Sequence, residues 1–367
     1  MLARENRARR IRRTSPPDAA RAGDTTPLPT PRELAANEPC TPAIAAGVEH
    51  ARTRIRRVLA GDDDRLVVVA GPCSIHDAGS ALEYAQRLER VARACEDVLV
   101  VAMRVYLEKP RTRLGWKGIV NDPHMDGSND VREGLLRGRQ ILRAITQVGT
   151  SGLPCASEVL DPLAAPYLQD LIAWGCIGAR TAHSQPHREL ASALPMPVGI
   201  KNGVCGDVQG AIDAVHAARA PHAALAIDVH GRACVRRSAG NRDAHVVLRG
   251  GRSGPNASPA EVEDTARALR CPPRARPVFI DCSHGNSGGD LRQQGATFRA
   301  LVDRVAGGER AIGGLLLESH LEPGRQDWRP GEAARPERSV TDACLGWRET
   351  RVLLLEAAGR LRRRRSA

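Results

Sequence analysis

Short runs of apolar residues recur along the chain, and each run ends abruptly in polar residues before a helical stretch begins. Strands that alternate with helices pair in parallel, and parallel strands buried on both faces are continuous apolar runs. Eight such units predict an α/β fold, a closed (β/α)8 TIM barrel. The predicted strands are Leu66–Ala70, Val98–Val105, Leu153–Ala156, Cys176–Ala179, Val198–Ile200, Val246–Leu248, Val278–Ile280 and Ile312–Leu317.

Two additions to the barrel are predicted, an N-terminal extension and an inserted β-hairpin. The first 45 residues are rich in Pro, Arg, Ala and Thr, and a helix is predicted over Ala46–Ala60. Between the fifth and sixth strands, Ala223–Val229 and Ala233–Arg236 flank His230-Gly231 and predict a hairpin, which we expect to serve regulation or subunit contact. The predicted organisation is an extension over 1–45, a barrel over 46–357 with the hairpin within about 223–240, and a basic tail over 358–367.

Composition excludes several classes of protein. A hydrophobic content of 42% in 367 residues is typical of a globular chain. The sequence has no apolar run near the roughly 20 residues that a membrane span needs, and its N-terminus lacks the apolar segment of a secretory signal. The ten cysteines are scattered without a CxxC pair, which favours reduced thiols and a cytoplasmic location over a disulfide framework.

The net charge of +12 is concentrated at the two ends of the chain. Residues 1–13 hold six arginines against one acid, and residues 360–367 hold five arginines with no acid, so each end carries +5. The remaining body carries about +2 and is nearly neutral. Because no nucleic-acid recognition motif accompanies the basic ends, we predict solvated tails and no nucleic-acid partner.

Lysine is very rare in this chain. Of the 54 basic residues, only Lys109, Lys117 and Lys201 are lysines. A lysine ammonium is a compact point charge that the planar guanidinium of arginine cannot imitate in a tight space. The three lysines therefore indicate positions where a small anion must be reached.

Charged residues collect where the predicted strands end. In barrels of this class the active site is built at the carboxyl ends of the strands. Ion pairs with nearby acids would account for one or two such cations, but a group of them at one face predicts a highly charged anion, such as a phosphate or a carboxylate. The cations are Arg104, Lys109, Arg180, Lys201 and Arg249.

A second group at the strand ends has the donor atoms of a metal site. Cys73, His284, Glu318 and Asp342 offer sulfur, nitrogen and oxygen, a set that suits a divalent transition-metal ion. Taken singly, a cysteine after a strand is more often a small core residue, and these four lie far apart in the chain. Residue types alone therefore predict metal-assisted chemistry on small phosphorylated substrates and go no further.

A series of motifs, in unchanged order from Arg32 to Trp347, resembles the class I 3-deoxy-D-arabino-heptulosonate 7-phosphate (DAHP) synthases. A chance match over this length is negligible. The motifs include Gly71-Pro72-Cys73-Ser74-Ile75-His76-Asp77, Arg104-Val105-Tyr106-Leu107-Glu108-Lys109-Pro110-Arg111-Thr112, Gly115-Trp116-Lys117-Gly118, Ile177-Gly178-Ala179-Arg180-Thr181, Lys201-Asn202-Gly203, Leu248-Arg249-Gly250-Gly251, Asp281-Cys282-Ser283-His284-Gly285-Asn286-Ser287, Glu318-Ser319-His320 and Thr341-Asp342-Ala343-Cys344.

The resemblance assigns roles to individual residues. It implies one divalent metal ion, Mn, Fe, Co or Zn, held by Cys73, His284, Glu318 and Asp342. The sequence does not fix which residue handles the proton of the added water, and the candidates are Lys109, Glu158 and His284. The implied phosphoenolpyruvate contacts are Arg104, Lys109, Glu158, Arg180, Lys201 and Arg249, and the implied contacts to the phosphate of erythrose 4-phosphate are Lys109, Pro110, Arg111 and Thr112.

The reaction implied is the first step of the shikimate pathway. Phosphoenolpyruvate attacks the aldehyde of erythrose 4-phosphate through its C3, water adds at C2, and phosphate leaves by cleavage of its C–O bond. Two alternatives remain, a related synthase using another sugar phosphate such as arabinose 5-phosphate, and a non-catalytic regulatory paralogue. The Lys-Pro-Arg-Thr run argues against the first, and the complete set of metal and substrate positions argues against the second.

Family members are homodimers or homotetramers that respond to an aromatic amino acid. In this chain Ala224 and Ala226 stand where phenylalanine-sensing members have an aromatic residue and a serine in the effector pocket. The resemblance therefore favours tryptophan over phenylalanine as an effector, or no regulation at all.

Overall fold

The computed structural model describes residues 23, 25–150, 152–329 and 331–366, so the arginines of 1–13 lie outside it. No helix within those ranges is both long and apolar enough to cross a membrane. The strands are β1 (Leu66–Gly71), β2 (Leu99–Arg104), β3 (Cys155–Glu158), β4 (Trp174–Ile177), β5 (Val198–Lys201), β6 (His222–Ile227), β7 (Ala233–Ser238), β8 (His245–Leu248), β9 (Val278–Asp281), β10 (Ile312–His320) and β11 (Leu345–Gly346). The helices are α1 (Pro31–Asn37), α2 (Pro42–Ala60), α3 (Ala78–Ala94), α4 (Val131–Thr146), α5 (Ala165–Leu168), α6 (Gln185–Ala193), α7 (Gln209–Arg219), α8 (Pro259–Ala268), α9 (Leu291–Ala306) and α10 (Trp347–Ser366).

Eight parallel strands close into the predicted (β/α)8 barrel. They follow the order β1-β2-β3-β4-β5-β8-β9-β10, and β1 pairs with β10 to close the ring, with Val67 opposite Gly314. Every residue of these eight strands is buried. The continuous apolar runs of the sequence reflect this burial on both faces. The short β11 adds to the end of β10.

Several predicted element boundaries were wrong near the N-terminus and in the fourth strand. Helix α2 begins four residues before the predicted Ala46, because the Thr41 side chain accepts a hydrogen bond from the Ile44 N–H and Pro42 occupies the first turn. Helix α1 lies within a segment for which no helix was predicted, and Thr30 caps it. Strand β4 ends at Ile177, since the chain turns at Gly178, whose carbonyl accepts a hydrogen bond from the Thr181 N–H.

The inserted hairpin is present, formed by antiparallel β6 and β7. Its turn is closed by the Asp228 N–H, which donates to the Arg232 carbonyl, with Gly231 at φ +74°. The hairpin packs on α6, and the Arg32 N–H at the start of α1 donates to the Val229 carbonyl. The extension and the hairpin are therefore neighbours, as expected for two accessory elements of one barrel.

The basic C-terminal segment is not a separate tail. Helix α10 runs through residue 358 without a break, and Ala358 and Leu361 are buried. Arg362 pairs with Asp97 at 2.7 Å. The prediction of a solvated tail does not hold for residues 358–362, because Ala358 and Leu361 are buried and Arg362 pairs with Asp97.

Large side chains fill the lower half of the barrel. Trp174 stacks on Phe279 with ring centroids 5.8 Å apart, and His245 lies 4.3 Å from the Phe279 ring. Room for these rings comes from Gly199 and Gly314, where an added Cβ would lie about 2.5 Å from Trp174 and 2.6 Å from Phe279. The last turns of α2 pack beneath them and close the lower end.

Candidate active site

A layer of buried charges occupies the upper end of the barrel interior. Side chains alternate along a strand, so the residue two positions after an inward-facing residue also points inward. Arg104 therefore points inward two positions after Ala102, and Asp281 points inward two positions after Phe279. Each charged residue of this layer is at most 6% exposed. The layer consists of Arg104, Glu158, Lys201, Asp281 and Glu318.

These charges form direct ion pairs. Arg104 Nη2 lies 2.7 Å from Glu318 Oε1, while Lys201 Nζ lies 3.0 Å from Glu158 Oε2 and 3.6 Å from Asp281 Oδ2. Burial alone would raise the pKa of Glu158, but the Lys201 ammonium and the Arg104 guanidinium hold that pKa below its usual value. Removing so many charges from water is expensive and rarely adds stability, so a functional reason is expected.

Arg104 keeps a donor free at the top of this layer. Its guanidinium carbon lies 3.5 Å from the centroid of the Tyr106 ring, and its Nε donates to the Pro72 carbonyl at 3.1 Å. Within the described part of the chain, its buried Nη1 has no hydrogen-bond partner. A buried N–H without a partner is costly, and here it belongs to a side chain that lines a cavity. The Arg104 guanidinium therefore has hydrogen-bonding capacity beside the cavity that the described protein atoms do not use.

The cavity above the charged layer has a volume of about 260 Å³. All nine residues predicted to bind substrate line it, as do His284 and Asp342 from the predicted metal set. Arg180 Nε and Nη2 donate to Thr112 Oγ1 at 3.1 and 2.8 Å, which ties the loop after β2 to the loop after β4. The nine residues are Arg104, Lys109, Pro110, Arg111, Thr112, Glu158, Arg180, Lys201 and Arg249.

Three of the four predicted metal ligands converge beside this cavity. Ligand atoms of Cys73, Glu318 and Asp342 all lie within 4.8 Å of one another. The fourth, His284, lies outside this group, but its Nε2 is 3.6 Å from Glu318 Oε1. His284 has φ +54°, an uncommon conformation for a residue other than glycine, at the start of a 3₁₀ turn over His284–Asn286. The structure thus brings three of the four predicted ligands together and places the His284 ring next to one of them, Glu318.

The predicted metal ligands form a site that favours a positive charge. Lys109 Nζ lies 2.7 Å from Cys73 Sγ and 2.9 Å from Asp342 Oδ2. Burial would lower the pKa of Lys109, but Cys73, Glu318 and Asp342 together raise it. Burial, reinforced by Glu318, raises the pKa of the Cys73 thiol to about 11. A divalent ion would instead hold Cys73 as a thiolate, so sulfur, imidazole and carboxylate donors fit a transition metal here.

Sequence reasoning missed Asp281 and Tyr106 as members of this site. Asp281 Oδ2 lies 3.0 Å from His284 Nδ1, and Tyr106 lies beneath the guanidinium of Arg104. Asp281 had an available signal, because it stands two residues after the inward-facing Phe279 at the end of β9. Tyr106 had none, since its contact depends on how the loop after β2 folds back.

A (β/α)8 barrel with a cation-lined cavity and a group of metal-binding side chains at its mouth defines a barrel enzyme that uses a metal ion on small anionic substrates. The chain belongs to the DAHP synthetase I family, whose model matches residues 42–355. The matched span includes every residue of the candidate site. Metal dependence is a property that this family implies.

Similarity to individual proteins extends over nearly the whole chain. It is 44% identical to the Phe-sensitive phospho-2-dehydro-3-deoxyheptonate aldolase of Escherichia coli (strain K12), covering 95% of this chain and 98% of that protein. It is 45% identical to the Trp-sensitive enzyme of Enterobacter agglomerans, covering 92% and 96%. Its fold matches the solved phospho-2-dehydro-3-deoxyheptonate aldolase of Francisella tularensis SCHU S4 with a TM-score of 0.88 and 39% identity, covering 93% and 99%.

Proposed function

We propose that this protein is a DAHP synthase, which condenses phosphoenolpyruvate with erythrose 4-phosphate and releases DAHP and phosphate. The observation that carries the proposal is the single cavity at the barrel mouth. Its lining combines the nine residues predicted to contact substrate, six of them cationic, with side chains of a metal-binding group. Family membership supports the same reaction.

The cations divide the cavity between two substrates. Arg104, Arg180, Lys201 and Arg249 bind the carboxylate and phosphate of phosphoenolpyruvate, because planar guanidinium groups match such anions in pairs of hydrogen bonds. The loop Lys109–Thr112 binds the phosphate of erythrose 4-phosphate. Holding both anions side by side brings C3 of one next to C1 of the other and removes much of the entropic barrier.

Three residues at the cavity are positioned to handle protons, Lys109, Glu158 and His284. The Lys201 ammonium donates to Glu158 at 3.0 Å and favours an ionised carboxylate, the form that accepts a proton from water. Lys109 Nζ instead contacts Cys73 Sγ and Asp342 Oδ2, so its ammonium is directed toward the residues that would hold the metal. The geometry therefore favours Glu158 for accepting the proton of the water that adds at C2.

Cys73, His284, Glu318 and Asp342 would hold one divalent ion, Mn, Fe, Co or Zn. When bound, the ion supplies Lewis acidity toward the aldehyde oxygen. Asp281 acts through His284, since its carboxylate lies 3.0 Å from Nδ1 and leaves Nε2 to face Glu318. Carboxylates behind metal-binding histidines commonly fix ring orientation in this way.

One assay tests the proposed reaction and both alternatives. Protein stripped of metal and reloaded separately with Mn²⁺, Fe²⁺, Co²⁺ or Zn²⁺ is mixed with phosphoenolpyruvate and either erythrose 4-phosphate or arabinose 5-phosphate. We expect DAHP and phosphate only with erythrose 4-phosphate and only with added metal. Faster turnover of arabinose 5-phosphate would favour the related synthase. Binding of both substrates without turnover for every metal would identify a non-catalytic paralogue.

Regulation is a separate part of the proposal, with tryptophan favoured over phenylalanine. Ala224 lines a small cleft between α6 and the hairpin, and Ala226 is buried on the same strand. Neither side chain offers the aromatic wall or hydroxyl expected of a phenylalanine pocket. Similar identities to Phe-sensitive and Trp-sensitive relatives do not decide the matter. Titrating phenylalanine and tryptophan separately into the assay identifies the effector. Tight inhibition by phenylalanine, with no effect of tryptophan, would contradict this proposal.

We also propose a homodimer or homotetramer, with the hairpin and residues before 46 as accessory elements of the barrel. Leu225 and Val235 on the outer face of the hairpin are 86% and 66% exposed, which is unusual for large apolar side chains. Light scattering after size-exclusion chromatography measures the assembly directly. A monomer at micromolar concentration would contradict this part. The cytoplasmic location stays a prediction.

A further inference from the structure

A second cavity lies at the opposite end of the barrel from the candidate active site. Its volume is about 310 Å³, and it opens between the ends of α2 and α7, the start of β8, and the loop that joins α8 to β9. Its inner end reaches Ala244 and His245, which are buried at the start of β8. It is therefore a cavity reaching the barrel floor, separate from the mouth.

Four arginines from different segments line this lower cavity: Arg219, Arg242, Arg270 and Arg274. Arg274 pairs with Asp62 at 3.1 Å, whereas the other three form no ion pair with a carboxylate in the described part of the chain. The carboxylate in the lining, Asp243, pairs with Arg56 at 3.0 Å. The cavity thus has three arginines that form no ion pair with a carboxylate in the described part of the chain: Arg219 is half-buried, and Arg242 and Arg270 are exposed at the opening.

Arg219 is fixed in place by neutral partners. Its guanidinium donates to the carbonyls of Ala244 and Leu269 and to Cys271 Sγ at 2.8 to 3.3 Å. These contacts orient the side chain but leave its charge uncompensated. Arg270 follows helix α8 with φ +50°, a backbone conformation that favours glycine at a helix end. The local fold therefore fixes the Arg219 side chain at the cavity, and it places the backbone of Arg270 at the opening.

The rest of the lining is largely apolar. Leu59, Pro272, Ala275 and Pro277 supply carbon surface. His245 at the inner end is neutral, because its buried Nε2 accepts a hydrogen bond from the Trp174 Nε1–H at 3.1 Å. An inorganic anion would leave the carbon surface uncovered, and a neutral apolar molecule would leave the arginines uncompensated.

We propose that the lower cavity is a binding site for a small organic anion, a carboxylate attached to a flat apolar ring. The carboxylate is recognised by Arg242 and Arg270 at the opening, and the ring lies against Leu59 and the prolines toward the barrel floor. None of these residues lines the mouth, so the site does not depend on the function proposed above.

Isothermal titration of the full chain with three probes tests this site. The probes are benzoate, its neutral isostere benzamide, and inorganic phosphate. We expect saturable binding of benzoate at one site per chain, with benzamide and phosphate each at least about tenfold weaker. Equal binding of benzamide would show an apolar cavity without anion recognition. Phosphate binding as tight as that of benzoate, and lost when Arg242 and Arg270 are changed to Gln, would show an inorganic-anion site in the lower cavity, whereas phosphate binding that this change leaves intact belongs to the mouth. Equal binding of benzamide, or an inorganic-anion site in the lower cavity, overturns the proposal.

Variants locate the bound benzoate. The double change Arg242→Gln and Arg270→Gln should weaken benzoate binding at least about tenfold. The matched control Arg90→Gln with Arg132→Gln, at exposed arginines on α3 and α4, should leave binding unchanged. Arg180→Gln at the mouth should also leave it unchanged. Benzoate binding lost in Arg180→Gln and kept in the first double variant would place the ligand at the mouth and refute the lower site. Equal melting temperatures of all variants exclude unfolding as the cause.

Discussion

The two ends of the barrel interior use the same alternation of side chains for opposite purposes. At the lower end, the inward positions hold Trp174, His245 and Phe279, which stack with their polar atoms paired. At the upper end, β9 presents Asp281 two residues after Phe279, and the other strands of the barrel present Glu158 and its charged neighbours. The lower end therefore contributes stability through packing, and the upper end places charge where it can act on a substrate.

The two ends of the barrel interior also differ in how their burial affects the free energy of folding. Burying the rings below releases apolar surface from water, which is the main source of folding stability. Burying the charges above opposes folding unless each is paired, and Arg104 Nη1 is left without a partner in the described structure. Changes at the upper end should therefore affect activity more than stability, and changes at the lower end the reverse. Four predictions test this contrast.

The largest effect is expected from Cys73→Ala at the upper end. Loss of a thiolate ligand should remove metal binding and with it at least about 5 kcal/mol of transition-state stabilisation, close to ten-thousandfold in kcat/KM. Metal content by mass spectrometry and steady-state kinetics measure both. The control is Cys95→Ala, a fully buried cysteine after α3 that should keep metal and activity. Full activity of Cys73→Ala would remove Cys73 from the metal site.

The converse effect is expected from Phe279→Ala at the lower end. Phe279 contacts Trp174, His245 and Gly314, and a cavity of this size should lower the free energy of unfolding by about 3–5 kcal/mol. The kcat/KM of the protein that remains folded should change by less than about threefold, equivalent to ~0.7 kcal/mol. Denaturant unfolding gives the free energy of unfolding, and steady-state kinetics at temperatures below the unfolding transition give kcat/KM. A large fall in kcat/KM with little loss of stability would contradict the division between the two ends.

A smaller effect on stability is expected when low pH protonates His245. Burial lowers the pKa of His245 to about 4, against an ordinary value of 6.5. The unfolded chain therefore takes up this proton first as the pH falls. The stability that depends on the neutral ring is complete above pH 6.5 and is lost between pH 6.5 and 4, by up to about 3 kcal/mol.

Unfolding of wild type and His245→Gln at pH 7 and pH 4.5 checks this effect. The wild type should lose more stability than the variant over that interval, since both share the same carboxylates. His230→Gln in the exposed hairpin turn serves as control and should behave as wild type. Parallel pH dependence of wild type and His245→Gln would show that the ring is not buried neutral.

The smallest effect is expected from exchanging lysine for arginine at the mouth. Lys201 reaches Glu158 and Asp281, and Lys109 reaches Cys73 and Asp342, in spaces that a guanidinium does not fit. Lys109→Arg and Lys201→Arg should each lower kcat/KM at least about tenfold, or ~1.4 kcal/mol. Lys117→Arg is the matched control: this side chain is exposed and is not among the residues that line the cavity, so the expectation of an anion contact is not met at this third lysine. Wild-type kinetics for both mouth variants would refute the argument from lysine scarcity.

The sequence predicted the strands of the barrel and the residues at its mouth better than it predicted the contacts among the charged side chains. Apolar runs that end in charged residues located the eight strands and Arg104, Lys201 and Glu318, since burial and alternation are local patterns. The partners of those charges were not predictable, because Lys201 and Asp281 come together only when distant strands close the ring. The C-terminal arginines were predicted to be solvated, but Arg362 pairs with Asp97. The two residues are distant in sequence, so the sequence pattern does not show this contact.

The central claim is that one cavity at the barrel mouth holds a divalent metal ion beside phosphoenolpyruvate. A crystal structure of the protein grown with Mn²⁺ and phosphoenolpyruvate, with anomalous data, tests it most directly. We expect one strong anomalous peak within about 2.0–2.6 Å of Cys73 Sγ, His284 Nε2 and carboxylate oxygens of Glu318 and Asp342. We also expect phosphoenolpyruvate in contact with Arg104, Arg180, Lys201 and Arg249. A metal peak away from these four ligands, or phosphoenolpyruvate outside this cavity, would contradict it.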